Sequence, residues 1–327
     1  MNIFDLHCDT ISVIHNDKKK GNEISLKMND LQIDENKLKA GKYYAQCFAM
    51  FIYYEVDNPY LECKKMIDTF TSELKKCNNL SLALSYNDLI DNNNDNKISA
   101  ILTIEEGGVV ASSLLKLEEF YKLGVRMICL NWNFNNGVGH NNYGKLNADG
   151  KPDYITPNTT EGLTDFGFSM VKRMNELGMI VDVSHLSDKG FWDVINTSSK
   201  PIVASHSNAR AICKHVRNLT DEMIIALAKN GGIMGMNYCA QFMDDDPKKG
   251  EDTIECTIRH MKYIKALAGV DVIALGSDFD GIDPNISLRD ASMYQLLIVR
   301  MKEEGFTDEE IDKITHLNAL RVFKEVL

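Results

Sequence analysis

The chain predicts a single (β/α)8 TIM barrel spanning residues 1–327, and three observations carry that expectation. Eight short apolar or β-branched runs alternate with stretches of helical periodicity, and no linker divides the chain into halves. Two of these runs stop at Ser184-His185 and Ser205-His206, twenty-one residues apart, which suits a strand, a crossover helix and the next parallel strand. Side chains able to bind cations or move protons recur where the runs end, and barrels of this class build their sites at the carboxyl ends of strands.

The first strand is expected over residues 2–6, ending in His7-Cys8-Asp9. Alternation across a strand points His7 and Asp9 the same way and Cys8 the other. Residues 17–29 are polar and read as a surface loop, and Asp30 is placed to cap a short helix over 31–40. The second strand covers 43–53. Residues 59–77 carry Met66, Ile67, Phe70 and Leu74 at helical spacing, whereas 91–97, rich in Asn and Asp, reads as a solvated loop. The third strand, 98–104, runs into Glu105-Glu106-Gly107-Gly108, where two glycines permit a tight turn and close approach. A helix over 111–123 and a fourth strand over 125–130 follow. The Asn- and Gly-rich excursion from 131 to 160 lacks periodicity and has the character of a functional loop.

A helix is expected to open at Thr160-Glu161-Gly162 and stop at Gly178, where glycine suits a helix end. Strands five to eight are expected over 179–184, 201–205, 231–237 and 272–275. The last of these leads into Gly276-Ser277-Asp278-Phe279-Asp280-Gly281. Helices are expected over 221–229, 253–268, 293–304, 307–313 and 315–326. His15, His215, His260 and His316 fall on helices or beside a loop and read as surface or capping residues.

Composition narrows the class. Hydrophobic residues make up 44% and charged residues 25%, so a sizeable core is expected. The net charge of −11, with no long basic run, argues against nucleic acid and anionic membrane as partners. Eight scattered cysteines without a Cys-x-x-Cys pair fit reduced thiols. No secretory signal or membrane-spanning run is visible, so the expected location is the cytoplasm.

His7 and Asp9 follow strand one, Glu106 strand three, His185 strand five, His206 strand six and Asp278 strand eight. Three imidazoles and two or three carboxylates exceed what one zinc needs and suit two metals sharing a bridging carboxylate and hydroxide. Glu106 is assigned as the bridge, since a carboxylate has an oxygen for each metal. Asp182 and Asp280 are acidic neighbours suited to holding a histidine's other nitrogen, and Asp280 is the rival to Asp278.

These residues also match a family. His7-x-Asp9, Glu106-Gly107-Gly108, Val183-Ser184-His185, Ser205-His206-Ser207, Asp278-Phe279-Asp280-Gly281 and the closing Asn318-Ala-Leu-Arg321-Val-Phe323 resemble the membrane (renal) dipeptidases almost from end to end. The resemblance implies a barrel of the metal-dependent hydrolase type, with two Zn2+ per chain, that cleaves dipeptides; acceptance of a D-residue at the carboxyl side is left open by the sequence. It implies His7 and Asp9 on one metal, His185 and His206 on the other, and Glu106 between them. Asp278 would pass the proton to the leaving amine, and Arg217 would bind the substrate carboxylate with its forked guanidinium.

Where mammalian members carry a substrate-facing histidine, this chain has Asn131-Trp132, so both become candidate substrate-binding residues, with Asn133 and His140 nearby. The mammalian secretion signal and lipid anchor are not seen. Relatives are often dimers, so a homodimer is one assembly open to this chain, although the sequence shows no clear interface. The rival reading is a related di-metal hydrolase of cyclic amides or lactones. Such enzymes commonly bridge their metals with a carboxylated lysine, and a glutamate in that position argues against it.

Overall fold

The computed structural model describes residues 1–53, 55–246, 252–284 and 287–327. Nine parallel strands form one sheet: β1 (Ile3–Asp5), β2 (Tyr43–Phe51), β3 (Leu80–Leu82), β4 (Ile98–Glu105), β5 (Val125–Cys129), β6 (Ile180–Asp182), β7 (Val203–Ala204), β8 (Ile233–Met236) and β9 (Ile273–Leu275). The order β2-β1-β9-β8-β7-β6-β5-β4 is closed by a direct β2–β4 pairing, from Ala45↔Ser99 to Phe51↔Glu105. Eight strands therefore make the barrel, and all eight were expected. The ninth, β3, pairs with the first half of β4, where β5 has not yet begun.

Alternation divides the core in two. One residue or more from each barrel strand turns into the lumen: Phe4, Ala45, Cys47, Ile101, Met127, Ile180, Val203, Ile233 and Ala274. The closing helix Asn318–Val326 adds Ala319, Val322, Phe323 and Val326 to this cluster, with the Phe323 ring 4.8 Å from that of Phe4. The lower lumen is thus filled largely with hydrocarbon, and the imidazoles and carboxylates gather at the strand ends above it. Residues of opposite parity, such as Leu102 and Ile104, join the larger core between sheet and helices.

Helix limits shift where caps dictate. The helix expected from 160 begins at Asp165, because the Thr164 side chain accepts from the Gly167 amide. Some helices among the described residues fall outside the ranges expected from sequence, two longer ones being Thr10–Lys19 and Tyr86–Asn94. Thr10–Lys19 presents Ile11 and Ile14 to the core, and Tyr86–Asn94, capped by Ser85, buries little beyond Leu89. The second takes up part of the Asn-rich stretch expected to be loop. His260 is also not a surface residue: it is fully buried, where it accepts from the Ala209 amide and faces the Met243 carbonyl.

Candidate metal centre

Strand ends bring His7, Asp9, His185, His206 and Asp278 into one buried cluster, and the carboxylate at its centre belongs to Glu105. Glu105 Oε2 lies 3.2 Å from His7 Nε2, while Oε1 lies 3.0 Å from His185 Nε2 and 3.5 Å from His206 Nε2. Asp9 Oδ2 and Asp278 Oδ1 stand 3.3 and 3.8 Å from His7 Nε2. The site expected of Glu106 is therefore filled by its neighbour. Ile101, Thr103 and Glu105 share the parity that faces the lumen, whereas Glu106 leaves the strand with φ 89°. Its carboxylate accepts from the Trp132 amide at 3.0 Å, the Gly108 amide at 2.7 Å and Asn136 Nδ2. Counting alternation from Ile101 finds Glu105; matching Glu-Gly-Gly does not.

Local backbone aims these groups. Eight non-glycine residues among those described have positive φ, and His185, Asp278, Asp280 and Glu106 are four of them. Such conformations cost energy and cluster where surrounding structure enforces them. Two carboxylates pin the strand ends. Asp5 Oδ1 accepts from the His7 and Ser277 amides, tying β1 to β9, and Asp182 Oδ1 accepts from the Ser184 and Ser205 amides, tying β6 to β7. In each pair the ligand-type residue is at or next to the pinned amide. Asp280, the rival to Asp278, accepts from Thr10 Oγ1 and the Gln32 amide and so holds the loop.

The donor set fits cations. Asp9 heads the helix Thr10–Lys19 without capping it, and its Oδ1 is buried with no hydrogen-bond partner among the described residues. His185 Nε2 and His206 Nε2 stand 2.9 Å apart beside a carboxylate, while their Nδ1 atoms contact Asn133 Oδ1 and Ser205 Oγ. Two lone pairs that close repel one another unless a positive charge is shared between them. A Cβ at Gly281 would fall 2.2 Å from Asp9 Oδ2 and 2.5 Å from Asp278 Oδ1, so glycine keeps that side of the cluster open.

Electrostatics point the same way. Burial disfavours charge on His7, yet Glu105 and Asp9 outweigh it and hold its pKa well above the ordinary value. Burial, and then the Arg217 charge, pull His185 down to about 3, and burial and His7 hold His206 well below its usual value. Burial opposes the charge on Glu105 as well, but the imidazoles, His7 foremost, keep it well below the usual carboxylate range. Burial, reinforced by Asp9 and Glu105, pushes Asp278 up to about 7.

A cavity of ≈ 390 Å³ opens onto the cluster, walled by Val13, Phe51, Trp132, Phe242 and Ile282, with Asn133 and Asn16 among its polar groups. Trp132 lines it, packed on Phe51 at 5.1 Å. Asn131 does not: it is fully buried, and its Nδ2 donates to the Phe134 and Gly139 carbonyls, so its amide braces the loop rather than facing a substrate. His140 likewise turns to the Gly162 carbonyl at 2.7 Å. Arg217 lies behind Phe242, 5.3 Å from its ring, with Nη2 donating to the His206 carbonyl and Nε without a partner among the described residues.

A closed parallel barrel with histidines and carboxylates gathered at its strand ends defines a metal-dependent hydrolase of the (β/α)8 class. The family model "Membrane dipeptidase (Peptidase family M19)" matches residues 1–327, and the chain belongs to that family of metallopeptidases. An uncharacterized protein of Klebsiella pneumoniae is 38% identical over 248 residues, 76% of this chain and 89% of that protein. Dipeptidase tcpJ of Claviceps purpurea is 34% identical over 222 residues, 66% of this chain and 48% of that protein. An uncharacterized dipeptidase of Schizosaccharomyces pombe is 32% identical over 309 residues, 88% of this chain and 71% of that protein.

Among solved structures, a metallo peptidase from Rhodobacter sphaeroides, liganded with a phosphinate mimic of L-Ala-D-Ala, superposes with a TM-score of 0.90 at 22% identity, covering 100% of this chain and 99% of that one. Despite the family's name, no helix among the described residues is long and apolar enough to cross a membrane.

Proposed function

We propose that the chain is a zinc dipeptidase holding two cations, one on His7 and Asp9 and one on His185 and His206, with Glu105 spanning both. The observation that carries this reading is the division of Glu105, one oxygen toward His7 and the other toward His185 and His206. Two such cations supply, when bound, a lowered pKa for water and polarisation of the scissile carbonyl.

The chain's own residues account for proton handling and substrate fit. Asn237 Nδ2 donates to Asp278 Oδ2 at 2.9 Å, which leaves Oδ1, on the His7 and Asp9 side, to accept a proton and return it to the leaving amine. Trp132, Phe51 and Phe242 exclude water from one wall and give an apolar side chain a surface to pack on. Arg217, whose buried Nε has no partner among the described residues, is assigned to the substrate carboxylate. The small cavity favours dipeptides over longer chains. A D-residue on the carboxyl side is supported by the L-Ala-D-Ala mimic held by the Rhodobacter sphaeroides enzyme of the same fold.

Hydrolysis of a dipeptide panel of both chiralities, with added zinc, tests this. Cleavage of dipeptides but not of N-acetylated dipeptide amides is expected; cleavage confined to lactones or cyclic amides would overturn it.

A further inference from the structure

We propose that Asp182 sets the position of the proton on His206 through the Ser205 hydroxyl, and so keeps His206 Nε2 bare toward the metal centre. The inference rests on the reading of His206 as a metal ligand and adds to it a positioning chain that does not touch the metal.

Asp182 is fully enclosed at the end of β6 and is not itself in the cluster. Its Oδ1 is taken by the Ser184 and Ser205 amides at 2.9 and 3.0 Å. Its Oδ2 receives the Ser205 hydroxyl proton. With Oδ1 accepting two backbone amides and Oδ2 facing the hydroxyl, Asp182 stands as the acceptor in that bond. Having given its one proton to Asp182, Ser205 Oγ has only lone pairs left for His206 Nδ1, 2.7 Å away. Nδ1 must then be the protonated nitrogen, and Nε2 carries the lone pair that faces Glu105 and His185. Ser184 Oγ, 3.3 Å from Ser205 Oγ and already accepting from the His206 amide, can add a donation to Ser205 without disturbing this order.

The chain makes a prediction that a merely structural carboxylate does not. In Asp182→Asn the carboxamide oxygen can still accept both amides, so the strand-end tie survives. Its NH2, however, now donates to Ser205 Oγ and turns the hydroxyl proton onto His206 Nδ1. The proton on His206 then moves to Nε2, the atom needed bare. Removing the hydroxyl as well, in Asp182→Asn/Ser205→Ala, takes away the donor that forces this tautomer, so the second substitution partly repairs the first.

The test has two readouts. Nitrogen-15 spectra of histidine-labelled, metal-free protein report which ring nitrogen of His206 carries the proton, with the signal assigned by its loss in His206→Gln. Chelator competition reports zinc affinity. We expect Nδ1–H in the wild type and Nε2–H in Asp182→Asn, with zinc affinity lowered about 10–100-fold in that variant. The double variant should bind zinc about threefold or more tighter than Asp182→Asn.

Retention of Nδ1–H in Asp182→Asn, or a double variant no tighter than the single, would overturn the proposal. Should Asp182→Asn not fold, Ser205→Ala in the wild-type background decides: loss of Nδ1–H from His206 supports the relay, and an unchanged tautomer refutes it. Because the spectra need no metal, failure of the relay and failure of the two-metal reading are seen separately.

Discussion

Glu105 and Glu106 are consecutive, yet their carboxylates part company: Glu105 stands among His7, His185 and His206, while Glu106 folds back onto the Trp132 and Gly108 amides. Substitution should separate their roles. Glu105→Gln is expected to lower kcat/KM by more than about 100-fold and to release metal, since an amide cannot serve two cations. Glu106→Gln turns an NH2 toward a backbone N–H, so it should cost about 1–3 kcal/mol in stability while metal content persists. Dialysed protein assayed for zinc and unfolded in urea distinguishes the two. Metal loss from Glu106→Gln with retention in Glu105→Gln would reverse the assignment.

Gly281 sits against two carboxylates of the cluster. A methyl group there meets both Asp9 Oδ2 and Asp278 Oδ1, so Gly281→Ala should displace one carboxylate and weaken metal binding about tenfold or more, with little loss of helical structure. Chelator competition and far-ultraviolet circular dichroism, read together, check it.

Arg217 is predicted to act on the substrate's charge. Arg217→Ala should raise KM for dipeptides by about 2 kcal/mol or more, as expected for loss of a buried charged hydrogen bond, and affect C-terminal amides far less. Equal effects on acid and amide substrates would remove Arg217 from carboxylate recognition.

Glu73 offers a stability test away from the site. Its side chain is buried, and although burial works to raise its pKa, bonds from Lys18, Lys76, Ser25 and the Leu26 amide bring it down to about 2 from the ordinary 4.5. A carboxyl depressed on folding contributes stability above its unfolded pKa and loses it as pH falls toward the folded one. The contribution, discounted because both lysines are partly exposed, is about 2 kcal/mol. Wild-type stability should therefore fall between pH 4.5 and about 2. Glu73→Gln should be less stable at pH 7 and show a shallower acid limb, measured by urea unfolding across that range.

Much of the architecture is legible because barrel strands buried on both sides read as short apolar runs, and each of the eight does so. The strand Leu80–Leu82 escapes because three residues, two of them with partly or largely exposed side chains, carry no pattern. The helix Tyr86–Asn94 escapes because its Asn and Asp residues resemble a loop, and only the Ser85 cap and Leu89 signal otherwise. At the cluster, residues that end strands or sit two apart were grouped by position, and the structure brings them together. Glu105 was not, because it lies beside Glu106, which has the same chemistry, and Asn131 was named where Asn133, two residues on, lines the cavity; only the direction of the side chain tells which residue faces it. For Glu105 that direction follows from parity with Ile101. For Asn131 it follows from the loop, whose carbonyls at Phe134 and Gly139 claim the amide.

The central claim is a pair of cations shared across Glu105, and zinc titration of the metal-free chain tests it most directly. Two equivalents bound per chain, falling sharply in Glu105→Gln, is the expected result. Binding near zero, or two equivalents retained undiminished without Glu105, would contradict the account.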